Sequence, residues 1–362
     1  MKIIQLDYML GAGGAEKFLV DLSNTLAVMG HDVEVCMLLT DENSKWSFNK
    51  SRLSAAVKFH SMGFKKEGFN LKKVFEVSKY IRKQNPDIVH CHLNILPYIY
   101  PLLGTRIKFI HTIHSVANRA AGIGIQKYID RLLYKMHIVT PVTISKECQL
   151  SFKQFHNIAN VKQIDNGTCP VSKSPLFDSV QEEIDELKNT SRTKVFIHVA
   201  RCNRVKRQEV LIGAFNKLDA LGKDFVLLVI GGGFDSEYGI QLQEKACKKI
   251  HFLGIKQNVG DYLLNSDAFC LTSECEGLPI SLIEAMSVGL TPICTPAGGI
   301  LDVIRHKQTG YVSDGFDCDN YLKALQLYYE HPIDKAMIAQ AFEKSYTMSI
   351  CTNKYISLYK RV

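Results

Sequence analysis

The stretch SECEGLPISLIEAMSVG, residues 273–289, sets Glu276 eight positions before Glu284, with Gly277-Leu278-Pro279 directly after the first acid. A carboxylate accepts two hydroxyl hydrogens side by side, which suits a ribose diol or a hexose edge. Backbone N–H groups at a helix start beyond the turn would meet a phosphate. Two acids at a helix start also complement the helix dipole, and an ion-paired surface would carry them as well. Upstream, VARCNRVKRQEVLIGAF (199–215) places Arg201 and Lys206 between an apolar strand and a helix start near Gln208. Arg offers a fork of donors and Lys a point charge, a trap for a diphosphate; a solvated basic loop is the plain alternative. GAGGAEK (11–17) joins the first strand to the first helix, and Gly13 and Gly14 let backbone come close to an anion, or simply make a turn. It is neither G-x-G-x-x-G, since residue 16 is Glu, nor a Walker loop. VIGGGFDSEY (229–238) reads as a simple glycine turn.

These segments need a frame. KIIQLDYM, DVEVCMLL, DIVHCH, KFIHTIH and IVTPVTIS read as strands in the first half, and VFIHVAR, FVLLVIG, IHFLG, AFCLTS and TPICTPA in the second. They are apolar on both faces, as strands of a parallel sheet under helices are. Helical periodicity marks 15–29, 71–84, 125–136, 208–221, 259–265 and 280–289. The alternation, seen twice, predicts an α/β chain of two doubly wound Rossmann-like domains. The first should span 1–170 together with a final helix, 346–362, and the second 171–345. The polar, turn-rich region 166–192 separates them, with a hinge near 167–174.

The composition, 46% hydrophobic and 22% charged over 362 residues, is that of a globular chain with sizeable cores. No apolar run approaches the roughly 18 residues of a membrane span, and the N-terminus lacks the pattern of a signal peptide. Eleven scattered cysteines with no C-x-x-C pair read as buried free thiols in a reducing cytoplasm. The net charge of +8 is uneven: residues 1–170 carry 22 Lys+Arg against 13 Asp+Glu, and the rest 22 against 23. A basic first half calls for an anionic partner.

With these motifs in order, the second half resembles retaining glycosyltransferases of the GT-B fold, family 4. The resemblance rests on Arg201 and Lys206, the glycine turn 231–233, IHFLG at 251–255, S-x-x-E-G at 273–277, Glu276 with Glu284, E-A-M at 284–286, Gly289 and Gly298-Gly299. The first half is similar through GAGGAEK, the H-D-V strand start, PDIVHCH and His114 at a strand end; NGTCP looks like the family's linker. The resemblance implies two domains facing across a cleft, with the last helix returning to the first. It implies a nucleotide-sugar donor, UDP- or GDP-linked, whose hexose-type sugar passes to an acceptor hydroxyl in surface polysaccharide or glycolipid synthesis. Arg201 and Lys206 would take the diphosphate, Glu284 the ribose and Glu276 the transferred sugar. Backbone of Gly277, Leu278, Pro279, Gly13 and Gly14 would complete the phosphate cradle. His114 would face the anomeric centre, with His111 as its rival. Leu278, Ala200 and Thr291 stand where the family often has Phe, Gly and Pro, which leaves the donor sugar open. An epimerase or a non-catalytic nucleotide-sugar-binding protein of the same fold is the alternative.

No cofactor or metal is expected. Asp317-Cys318-Asp319 resembles a metal-diphosphate motif but lies late in the chain, where it would cap a helix at Tyr321. Residues 62–87 carry Lys65, Lys66, Lys72, Lys73, Lys79, Arg82 and Lys83 against two glutamates, with Leu71, Val74, Phe75, Tyr80 and Ile81 as an apolar set. That reads as a core-packed helix with a solvated basic side, or as a surface for anionic lipid bearing a lipid-linked acceptor. Nucleic acid is not an expected partner, since no recognised module is visible. The expected place is cytoplasmic, peripheral on the inner face of the plasma membrane.

Overall fold

The fold is a computed structural model in which residues 1–117 and 124–362 are described. The chain forms two compact units, Met1–Gly167 with Met348–Val362, and Thr168–Thr347.

In the first unit, all seven strands are parallel: β1 (Lys2–Asp7), β2 (Asp32–Leu39), β3 (Lys58–Phe64), β4 (Ile88–His92), β5 (Lys108–Ile113), β6 (Val139–Thr143) and β7 (Lys162–Gln163). Their order is β3-β2-β1-β4-β5-β6-β7, so the winding reverses between β1 and β4. The helices are α1 (Gly14–Val28), α2 (Leu71–Gln84), α3 (Gln126–Lys135) and α4 (Lys146–His156). Right-handed crossovers put α2, the 3-10 turn Leu96–Leu102, α3 and α4 over one face of the sheet. Val77, Ile81, Leu96, Leu133 and Phe152 accordingly share one core with Ile4, Leu6 and Val89. The last helix, Met348–Tyr359, packs against α1.

The second unit contains β8 (Lys194–Val199), β9 (Phe225–Ile230), β10 (Ile250–Gly254), β11 (Ala268–Leu271), β12 (Thr291–Cys294) and β13 (Tyr311–Val312). Their order, β10-β9-β8-β11-β12-β13, reverses between β8 and β11. Its helices are α5 (Phe177–Leu187), α6 (Gln208–Ala220), α7 (Glu237–Lys245), α8 (Val259–Leu264), α9 (Ile280–Ser287), α10 (Ile300–Val303), α11 (Cys318–Glu330) and α12 (Lys335–Ser345). The last helix of the chain is then α13. Phe196, Phe215, Phe225, Leu227 and Leu325 build the core beneath α6 and α11.

Two local expectations change. The apolar set of α2 is not one face: Val74 and Ile81 are buried, Leu71 and Phe75 point outward, and Tyr80 donates to Glu34 at 2.5 Å. Asp317 is itself the N-cap, accepting from the Asp319 and Asn320 N–H groups at 3.0 Å each, so its helix starts at Cys318 rather than Tyr321.

Candidate active site

In an open parallel sheet, ligands sit beyond the strand C-termini where the winding reverses. In the second unit that point lies between β8 and β11, and it gathers the two motif loops. After β8 the chain passes Arg201, makes a 3-10 turn at Arg204–Lys206, and enters α6 through Arg207 in a left-handed conformation, φ 48°. After β11 it passes Ser273, Glu276 and Gly277-Leu278-Pro279 into α9.

Lys206 is held at three points. Its N–H donates to Asn203 Oδ1 at 3.1 Å, its carbonyl accepts from Thr272 Oγ1 at 3.0 Å, and its Nζ lies 2.5 Å from Glu276 Oε1. The Ser273 hydroxyl donates to the same Oε1 at 2.5 Å, and Thr295 Oγ1 donates to the Ser273 carbonyl at 2.5 Å. Glu274 N–H to Val205 carbonyl, 2.8 Å, staples the loops together. Glu276 is 8% exposed, and no partner meets its Oε2 among the described residues. The pair is therefore pre-assembled, with one carboxylate oxygen left for a hydroxyl donor. Arg201 is exposed, and its carbonyl accepts from Gln208 Nε2 at 3.0 Å. The same amide approaches His198 Nε2 at 3.4 Å, and His198 Nδ1 meets the Cys270 carbonyl at 2.9 Å. A carbonyl only accepts, so His198 donates through Nδ1 and accepts at Nε2. Burial pushes its pKa down to about 4, which keeps it neutral. Glu284 stands half-buried in the second turn of α9.

Two glycines make this packing possible. A Cβ on Gly231 (φ 149°) would lie 2.0 Å from the Ala200 carbonyl, and one on Gly298 (φ 50°) 2.2 Å from the Glu276 carbonyl. The glycine turn after β9 is thus more than a simple turn, because it lets a neighbouring strand end close on the Arg201 loop.

In the first unit the reversal lies between β1 and β4. Strand alternation puts His90 and His92 on one face, beside Gln5 of β1 and Thr112 of β5. His114, just after β5, places Nε2 3.0 Å from His92 Nδ1, and His92 Nε2 lies 2.8 Å from Gln5 Oε1. With Gln5 presenting its oxygen, His92 donates to it and His114 donates to His92. The lone pair of His114 Nδ1 remains for a ligand. Burial first, and the neighbouring His111 second, push His114 down to about 3, so it acts as a neutral ring. His111 has both nitrogens occupied, donating to the Leu93 carbonyl at 2.6 Å and accepting from Tyr134 at 2.7 Å. From α13, Tyr359 meets His90 and Tyr355 meets Thr112, each at 2.8 Å.

The Gly13-Gly14 turn carries an acid. A Cβ on Gly13 would stand 2.2 Å from Glu16 Oε2, so the carboxylate occupies the start of α1. Asp7, at the end of β1, is fully buried; burial first and Glu16 second raise it well above the carboxylate range.

Two family models divide this chain between them. The one described as Glycosyltransferase Family 4 matches residues 12–168, and the one described as Glycosyl transferases group 1 matches residues 179–345. The chain belongs to the group 1 glycosyl transferases. This glycosyltransferase is 25% identical to N-acetyl-alpha-D-glucosaminyl L-malate synthase of Bacillus anthracis, over 97% of its own length and 93% of the relative's. It is 25% identical to an Escherichia coli UDP-Gal:alpha-D-GlcNAc-diphosphoundecaprenol alpha-1,3-galactosyltransferase over 71% of its length and 70% of that relative's. Among solved structures it is similar to a Rickettsia africae glycosyltransferase, with TM-score 0.81 and 18% identity over 99% and 98% of the two chains. It is likewise similar to Anabaena HepE in complex with UDP and glucose, with TM-score 0.79 and 16% identity over 100% of both. The fold is GT-B.

Sequence reasoning missed the residues that hold the site: Asn203, Ser273 and Thr295 around the Lys206–Glu276 pair, and Gln5 and His92 behind His114. The H-x-H spacing of 90 and 92 was the available signal, since alternate strand residues share a face.

Proposed function

We propose that this glycosyltransferase transfers a hexose-type sugar from a UDP- or GDP-sugar to an acceptor hydroxyl with retention of anomeric configuration. The observation that carries the reading is the pre-assembled Lys206–Glu276 pair at the β8/β11 reversal, with Arg201 on the same loop. Lys206 and Arg201 neutralise the diphosphate as its bond to the anomeric carbon breaks. Glu276 holds sugar hydroxyls through Oε2, Glu284 holds the ribose, and the backbone at Gly277–Pro279 and the first turn of α9 meets the phosphates. His114 hydrogen-bonds the donor sugar as a neutral ring. Backbone of Gly13 and Gly14 would complete the phosphate cradle.

The leaving group is neutralised by these side chains without a metal. A glycan or lipid-linked acceptor is the reading favoured by the diphosphoundecaprenol named for the Escherichia coli relative. No helix among the described residues is long and apolar enough to cross a membrane, so attachment to a bilayer would be peripheral, through the basic first unit, on its cytoplasmic side. The malate synthase named for the Bacillus relative supports a second reading, in which the acceptor hydroxyl belongs to a small hydroxy acid. Thermal-shift measurements against UDP-, GDP-, ADP- and TDP-sugars test the donor. Stabilisation by a UDP- or GDP-sugar is expected, and a flat response across the panel would overturn the reading.

A further inference from the structure

Among the described residues eleven large apolar side chains stand exposed in the first unit, and seven of them fall on two segments of one sheet face, of which the first packs on the 3-10 turn Leu96–Leu102. Phe69, Leu71 and Phe75 lie on α2 and its approach, and Ile125, Tyr128, Leu132 and Met136 on α3 and its two ends. The four on the α3 segment each expose between 56% and 76% of their surface. At about 100° per residue they fall within an arc of about 80°. Lys127, Arg131 and Lys135, spaced by four, form a second row along one flank of that stripe, with the Arg131 guanidinium turned to the Phe155 carbonyl at 2.5 Å and the two lysines left at its ends. Leu133 and Tyr134 occupy the remaining, core-facing arc. The single acid of α3, Asp130, is buried and accepts from the Tyr100 hydroxyl at 2.8 Å, so it does not offset the basic row.

We propose that the outer stripe of α3 lies in the headgroup layer of an anionic bilayer, with Lys127 and Lys135 on lipid phosphates. A helix with an outward apolar stripe and a basic flank fits the plane of an interface. A second copy of the chain fits poorly, because self-pairing would bring identical basic rows together. On α2 the outward basic residues Lys72, Lys79, Arg82 and Lys83 add charge of the same sign, against Glu76. The proposal deepens the lipid-linked reading of the acceptor by naming the surface that would bring the enzyme to it.

The test is co-sedimentation of the full chain with phosphatidylcholine vesicles, with and without about one third phosphatidylglycerol. Wild type should pellet with the anionic vesicles and be released by salt. Each basic side chain near the surface is worth about 1 kcal/mol, or roughly fivefold in partition, so the K127Q/K135Q variant should bind roughly 25-fold more weakly. Leu132→Glu with Met136→Glu should abolish binding, while Leu221→Glu on the second unit should leave it intact. Leu132, Lys135, Met136 and Leu221 are exposed and Lys127 is half-buried, and light scattering with donor-induced thermal shift confirms that each variant stays folded. Wild type that stays in the supernatant, or an L132E/M136E variant that pellets normally, overturns the proposal. So does a wild-type dimer that the glutamates disperse. The vesicle assay contains neither donor nor acceptor, so it fails separately from the transferase reading.

Discussion

Asp7 and Glu16 stand where the first strand meets the first helix, and one buried carboxyl there has a measurable consequence. The folded pKa of Asp7 lies above its unfolded value, because burial and Glu16 both disfavour the charge. Its contribution to stability is therefore full below about pH 3.9 and is lost as pH rises toward the folded value. Asp7→Asn keeps the acceptor for the Tyr8 N–H, 2.6 Å away, and does not titrate. The variant should gain thermal stability over wild type as pH rises above about 4; a gap independent of pH from there upward would contradict the assignment. At this scale the sequence exposes side chains with chemistry but not their partners. Glu276, Lys206 and Arg201 were legible from their places at strand ends. Ser273, Asn203 and Gln5 were not, because a small polar residue becomes a clamp only once another loop is brought to it.

Among elements, the strand-end loops depend on a close approach that only glycine permits. Gly231→Ala would drive a Cβ into the Ala200 carbonyl at a φ that side chains rarely adopt. We expect a loss of about 1–3 kcal/mol in urea unfolding, together with weaker donor binding as the Arg201 loop shifts. An unchanged midpoint would show that the turn relaxes freely. The βα alternation was readable because buried parallel strands are apolar on both faces. Edge strand β3, KFHSMGF, was not: its residues are only partly buried, and it holds His60, Ser61 and Gly63. Helix α5 was hidden in a polar stretch because only Val180 and Ile184 are buried. The outward facing of the stripe on α3 was not legible either, since a 3.6-residue apolar period does not say which side faces the core.

Across the described residues, burial pushes six histidines far down, with His31 and His251 shifted the same way. His90 and His92 lie well below the usual range, His111, His156 and His198 near about 4, and His114 near about 3. In the unfolded chain each takes up a proton below about pH 6.5, while in the fold it does not. Their stabilisation is full above that pH and is lost as pH falls through the folded values. The urea midpoint should therefore drop between pH 7 and 5, before most carboxylates titrate. A midpoint flat across that interval would mean that these rings are protonated in the native state.

The account turns on the basic loop after β8 doing electrostatic work on a departing nucleotide diphosphate. The direct measurement is kcat/KM of Lys206→Ala and Arg201→Ala with whichever nucleotide sugar stabilises the wild type. Loss of either cation should lower kcat/KM on the order of 10²–10³, with folding confirmed by an unchanged far-UV spectrum. Near-normal turnover in both variants would contradict the assignment of the site.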